Sequence, residues 1–428
     1  MQRHFLILQG PHGPFCLALA RALRQAGQRA TRIGFNAGDG LGWRGRDGYR
    51  PFRDTLDAWP GALGNTIQEE GITDIVLYGD DRPVHRIAQD VARSLGVTLH
   101  FLEEGYLRPH WVTYERDGVN GTSPLMKMTL PDIRARLDPV ERPQSRAPDQ
   151  WGAARRHAYA SARYHMAVLL GQGRYPSYRS HRDMPVAQEA GLHLRRLAAM
   201  PVRALTGRVQ TRALRRSSSP YHLVLLQLCH DSAFRRHGPF PSLEAFAAEV
   251  MGAFARSAPQ HHQLVFKAHP FEDGREPIRP LLQLHAREAG LERRVRFVAA
   301  GKLGALLDHA RTAITVHSTS AHQALWRGVP TKVLGRAVYD KPGLVSAQSL
   351  EAFLENPDPV DRAAYLDYRR FLLETSQIKG SFYTHGGRRM ILRRIVDMML
   401  AAEGPYAKPS VSVDNVVDLN ARRGVHGT

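Results

Sequence analysis

Cysteine is nearly absent from this 428-residue chain, with only Cys16 and Cys229 present. They lie far apart in sequence and share no metal-ligand spacing, so neither a disulfide scaffold nor a zinc site is expected, and a reducing compartment fits. Long apolar runs are also missing. No stretch approaches the roughly 20 residues needed to span a bilayer. Met1-Gln2-Arg3-His4-Phe5 passes directly into a strand pattern without a signal-peptide profile, and the expectation is a cytoplasmic protein. Acidic residues are scarce beside basic ones, 40 against 59, which gives a formal charge of +19. Such a chain is attracted to polyanions: nucleic acid, anionic lipid or an acidic saccharide. It has no zinc-finger spacing, RNP-type aromatic strand or basic zipper, so no nucleic-acid partner is expected. The arginines between Arg134 and Arg216 leave two readings, attraction to a membrane surface and a solvated helical face. No Asp-x-Asp motif stands in a suitable place, and neither a metal nor another cofactor is expected.

What is present suits two α/β domains. The hydrophobic share of 43% is that of an ordinary globular protein, and the length exceeds one core and fits two of roughly 200 residues. Strand, turn, helix and strand follow one another from His4 to Phe35, and Ile75–Tyr78 and Val97–Leu102 add further strands. The turn GPHGPF is not a dinucleotide fingerprint, although its glycines would let a ligand near the backbone. A second series runs from His222 to Val316. The pattern predicts a Rossmann-like domain over 1–130, an Arg-rich helical insertion or connection over 131–219, a second Rossmann-like domain over 220–385, and a helix with a polar tail over 386–428.

Polar residues cluster where strands end, the edge at which an open α/β sheet presents its ligand crevice. In the first half these are Glu103, Glu104 and Gly105, followed by Arg108 and the aromatic residues Tyr106, Trp111 and Tyr114, which are expected to line the site. Asp80, Asp81 and Arg82 end the preceding strand, either as acceptor-binding groups or as caps of the next helix. In the second half, QLCHDS places Asp231 beyond a strand, and KAHP places Lys267 and His269 at another strand end. HSTSA sets Ser318, Thr319 and Ser320 before a helix, as an ordinary cap or as a phosphate site. A phosphate-binding half facing an acidic half is the division a nucleotide-sugar transferase needs. Donors stabilise the leaving nucleotide, and carboxylates handle the sugar carbon and the acceptor hydroxyl.

The order QGPHGPF, YGDDRP, LEEGYLRP, VTYERDGVN, QLCHDS, KAHP, HSTSA and SQIKGSFY resembles the KpsS-type capsular polysaccharide biosynthesis and export proteins of Gram-negative bacteria. The resemblance runs from Phe5 to about Tyr383 and leaves out the Arg-rich middle. It implies a GT-B fold and a retaining β-Kdo transferase that takes CMP-Kdo and glycosylates a (lyso)phosphatidylglycerol lipid, beginning the linker for capsule export. By position, Asp231 would be the nucleophile and Glu104 the general acid/base. His269, Ser318 and Thr319 would hold the CMP phosphate; from charge and place at the strand ends, Lys267 and Ser320 are expected to join them, and Glu103, Arg108, Asp80, Asp81 and Arg82 to meet sugar or acceptor. After QLCHDS this chain departs from the family pattern and reads AFRRHG. The partners implied are CMP-Kdo, an anionic phospholipid acceptor, the inner face of the inner membrane, a second Kdo transferase and the capsule export complex. Transfer of another CMP- or CDP-activated group, and a non-catalytic role in the export assembly, are the alternative readings.

Overall fold

The computed structural model describes residues 2–43, 47–138, 153–179, 186–228, 234, 236 and 238–407. Short apolar runs form its strands. In the first half these are β1 (His4–Ile7), β2 (Arg29–Gly34), β3 (Tyr49–Pro51), β4 (Asp74–Tyr78), β5 (Thr98–Glu104) and β6 (Trp111–Arg116). The second half contributes β7 (Tyr221–Leu225), β8 (Gln263–Lys267), β9 (Val295–Val298), β10 (Thr312–Thr315) and β11 (Thr331–Val333), and β12 (Gln377–Lys379) comes last. Runs such as DIVLY in β4 and YHLVL in β7 are apolar almost throughout because helices cover both faces of a parallel sheet. The first sheet has the order β12-β6-β5-β4-β1-β2-β3, and the second β11-β10-β7-β8-β9. All pairings in the second sheet are parallel. Two Rossmann-like halves facing a cleft make up the GT-B arrangement expected above.

The first sheet is covered by α1 (Phe15–Gln25), α2 (Trp59–Glu70) and α3 (Pro83–Ser94). After the short α4 (Leu130–Arg134), the Arg-rich middle contributes α5 (Ala153–Leu170) and α6 (Val186–Arg216). Helix α5 docks on the first half, where the Tyr164 hydroxyl donates to Asp39 (3.0 Å) and His12 of the GPHGPF turn stacks on the Tyr164 ring at 4.0 Å. The turn is therefore packed against protein on that side. Helix α6 docks on the second half. A Cβ at Gly207 would lie 2.5 Å from the Ala300 carbonyl oxygen, so glycine is required for that close approach.

One expected boundary moves. The second unit does not continue to residue 385, because β12 pairs antiparallel with β6, Gln377 opposite Thr113 and Lys379 opposite Trp111. The helix His385–Leu400 then packs on α1, its Ile391, Ile395 and Met399 sharing one apolar cluster with Phe15 and Leu19. The cause is physical: β6 has an open edge to pair, and α1 has an apolar side to cover. Arg116 of β6 fixes the end of this helix by donating to the carbonyls of Met398, Met399, Ala401 and Ala402 at 2.6 to 3.2 Å. Those oxygens have no partner within the helix. Within the described residues, no helix is long and apolar enough to cross a membrane.

Apolar packing also joins the halves. Ala321 and Leu325 belong to the same cluster as Tyr106, Leu107 and Leu125. Lys341, buried at this junction, donates to the carbonyls of Leu125 (2.7 Å) and Met128 (2.6 Å). Burial, against the weaker pull of Asp340 and Asp132, pushes this lysine down to about 8.

Candidate active site

The cleft between the halves holds a cavity of about 250 Å³ at the strand ends. On the first half its wall includes Tyr78, Asp81, Arg82, Glu103, Glu104 and Arg108; on the second it includes Gln227, His269, His317, Ser318, Thr319 and Arg336. Strand geometry separates the adjacent carboxylates. Leu99 and Phe101 point into one core and Leu102 into the other, so the β5 pleat sends Glu103 and Glu104 to opposite faces. The Tyr78 hydroxyl donates to Glu104 at 3.3 Å. Burial, and then the charge of Glu104, push the Tyr383 hydroxyl well above its ordinary range.

Glu103 is strongly shifted by its surroundings. Burial and the neighbouring Glu104 charge raise it to about 8, against the opposing effects of the Glu104 N–H bond and Arg108. The Glu104 N–H donates to Glu103 Oε1 at 2.9 Å. A Cβ at Gly79 would come within 2.9 Å of Glu103 Oε2, and Gly79 has φ +70°, so this turn is shaped around the carboxyl. At neutral pH Glu103 keeps its proton and can donate a hydrogen bond.

The opposite wall presents donors. The Phe271 N–H donates to His269 Nδ1 at 3.1 Å, which leaves the proton of the neutral ring on Nε2. Gln227 clamps His317: its Oε1 accepts from the His317 N–H (2.9 Å), and its amide nitrogen lies 3.2 Å from His317 Nδ1. Tyr339 donates to the Ser318 carbonyl at 2.6 Å, and Ser318 Oγ accepts from the Ser320 N–H at 3.2 Å. Arg336 brings an exposed cation to this wall. An anionic group between the walls would meet imidazole, hydroxyl and guanidinium donors, with two carboxyls facing it.

Several expected positions fall elsewhere. Asp80 is fully buried and accepts from the Thr122 hydroxyl at 2.9 Å, so it shapes the loop below the cleft and does not line it. Asp81 lines the cleft while paired to Arg236 at 3.3 Å. Lys267 is buried, and its Nζ donates to the Ala268 carbonyl at 2.8 Å; burial and the nearby Arg203 push it down to about 8. Ser320 and Trp111 line an adjoining pocket of about 240 Å³ with Trp326 and Arg369. Tyr114 is not a lining residue: it is fully buried, its hydroxyl 2.8 Å from His100 Nδ1. Asp231 and Cys229 lie outside the described residues. Gln227, His317 and Arg336 were not singled out, although Gln227 and His317 open the motifs QLCHDS and HSTSA.

The sequence profile of a family described as capsule polysaccharide biosynthesis protein matches residues 73–383. This chain belongs to that family. Among capsule polysaccharide relatives, the export protein KpsS of Escherichia coli is 32% identical over 384 residues, which cover 89% of this chain and 97% of that one. The capsule polysaccharide modification protein LipB of Neisseria meningitidis serogroup B is 32% identical over 390 residues, covering 89% and 92%. A solved structure, the Thermosulfurimonas dismutans KpsC beta Kdo 2,7 transferase, aligns with a TM-score of 0.44 at 11% identity over 93% of this chain and 100% of that one. Every cleft residue of this capsule-biosynthesis protein named above lies inside the family span, whereas the helix His385–Leu400 follows it.

Proposed function

We propose that the protein is a retaining glycosyltransferase that moves Kdo from CMP-Kdo to a (lyso)phosphatidylglycerol acceptor at the inner face of the inner membrane, starting the linker for capsule export. The observation that carries this reading is the split cleft, with the Glu103–Glu104 pair on one wall and His269, Ser318, Thr319 and Arg336 on the other. In the first step the Asp231 carboxylate attacks the anomeric carbon and the bond to the CMP phosphate breaks. His269 Nε2–H, the hydroxyls and Arg336 bind the charge that builds on the departing phosphate. In the second step the acceptor hydroxyl displaces Asp231 as Glu104 takes its proton, while protonated Glu103 donates a hydrogen bond to sugar or acceptor oxygen. The nucleophile role of Asp231 rests on the sequence alone. Arg108, exposed at the cleft, suits the sugar carboxylate. A second Kdo transferase and the capsule export complex are the proposed partners.

The test is purified protein with CMP-Kdo and lysophosphatidylglycerol, read by CMP release and by mass spectrometry of the lipid. Glycolipid should form, and Glu104→Gln should slow it by at least about a hundredfold. Absence of both CMP and glycolipid overturns the proposal. Transfer from a different CMP- or CDP-activated donor in the same assay corrects the donor.

A further inference from the structure

Helix α6 is an unusual surface element. Its 31 residues contain seven arginines and one acidic residue, Glu189. The inner face is fixed to the second half, where Arg196 Nη2 donates to the Pro270 carbonyl at 2.8 Å and Arg203 Nη1 to the Glu272 carbonyl at 3.0 Å. The outer face carries three large apolar residues among its arginines: Val202, Leu205 and Val209 are 65%, 63% and 61% exposed. Their spacing of three and four residues keeps them on one side. Beside this stripe, Arg208, Arg212, Arg215 and Lys302 rim a groove of about 870 Å³ lined also by Ala204 and Ala300.

An apolar ridge flanked by arginines long enough to reach past it is the makeup of a helix that lies in a headgroup layer. A solvated face has no use for three such residues in register, and a nucleic acid would use the arginines and leave the ridge bare. The apolar surface also leads toward the cleft. Phe271, 53% exposed, lies against Arg196, whose guanidinium is 5.2 Å from the ring centroid, two residues beyond the cleft-lining His269. We infer that α6 docks the protein on an anionic phospholipid bilayer: Val202, Leu205 and Val209 enter the headgroup boundary, and the arginine-rimmed groove takes lipid phosphates. The His269 wall is thereby held at the membrane surface. The purpose of this docking rests on the lipid acceptor proposed above, but the docking itself needs no sugar transfer.

The experiment is co-sedimentation of the full chain with phosphatidylcholine vesicles, with and without phosphatidylglycerol, alongside binding to heparin and CMP. The wild-type protein should prefer the anionic vesicles. Val202→Ser/Leu205→Ser/Val209→Ser should weaken vesicle binding by at least about tenfold while leaving heparin binding unchanged. Arg208→Gln/Arg212→Gln/Arg215→Gln should remove the anionic preference, a loss on the order of a hundredfold. Unchanged CMP binding in both variants shows that the cleft is intact. The inference is overturned if the serine variant binds anionic vesicles as the wild type does, or if the wild type shows no preference for them. Should vesicle binding hold while CMP-Kdo releases no CMP, the docking stands and the transferase reading falls.

Discussion

Glu103 and Glu104 are neighbours in sequence, yet the pleat gives them different surroundings. Glu103, raised to about 8 by burial and by its neighbour, is neutral below that pH and charged above it. Activity that needs its proton should therefore fall as pH rises through about 8. Glu103→Gln keeps a donor at the same place, so its kcat/KM should lack this alkaline fall; an unchanged profile would assign the fall to another group. The pair was legible because two carboxylates ending an apolar strand stand out. Their division of labour was not, since it depends on packing around each side chain. Lys267 misled for a related reason: its long stem folds back onto the Ala268 carbonyl, and no sequence pattern records that turn. Gln227 was passed over because its value lies in orienting His317, a contact between positions 90 residues apart.

Regular elements were easier to read than irregular ones. Strands β1 and β4 are short apolar runs bounded by turns and stand where the pattern places them, and β7 and β10 open and close the series expected from His222 to Val316. The segment Trp111–Arg116 reads as a string of cleft aromatics but is a strand of the first sheet, buried along its length. The three-residue β12 carries too little sequence to announce itself; it exists because β6 offers an edge. Arg116 links these elements through its bonds to four carbonyls at the end of His385–Leu400. Arg116→Ala takes the donor from Ala401 and Ala402, while Met398 keeps the Tyr114 hydroxyl and Met399 the Arg3 guanidinium, and should lower stability by about 2 kcal/mol. Chemical denaturation would measure the loss, and activity per folded molecule should be preserved.

At the scale of the whole molecule, the cleft depends on how firmly the halves are joined. Lys341 reaches from the second half to carbonyls of the first. Lys341→Met keeps the stem but removes the donor, and should speed amide exchange around residues 120–128 by an amount equivalent to about 2 kcal/mol. Unaltered exchange would show that the apolar contacts suffice alone. The two-domain plan followed from length and strand order, while the crossing of the chain back into the first half depends on contacts hundreds of residues apart. That crossing sets an order of events during synthesis. The stretch from β7 to β11 is contiguous and can close as it emerges from the ribosome, whereas β6 and α1 wait for β12 and the helix His385–Leu400, which are made after it. The half begun first is therefore completed after the second, and until then the apolar face of α1 stays open to chaperones.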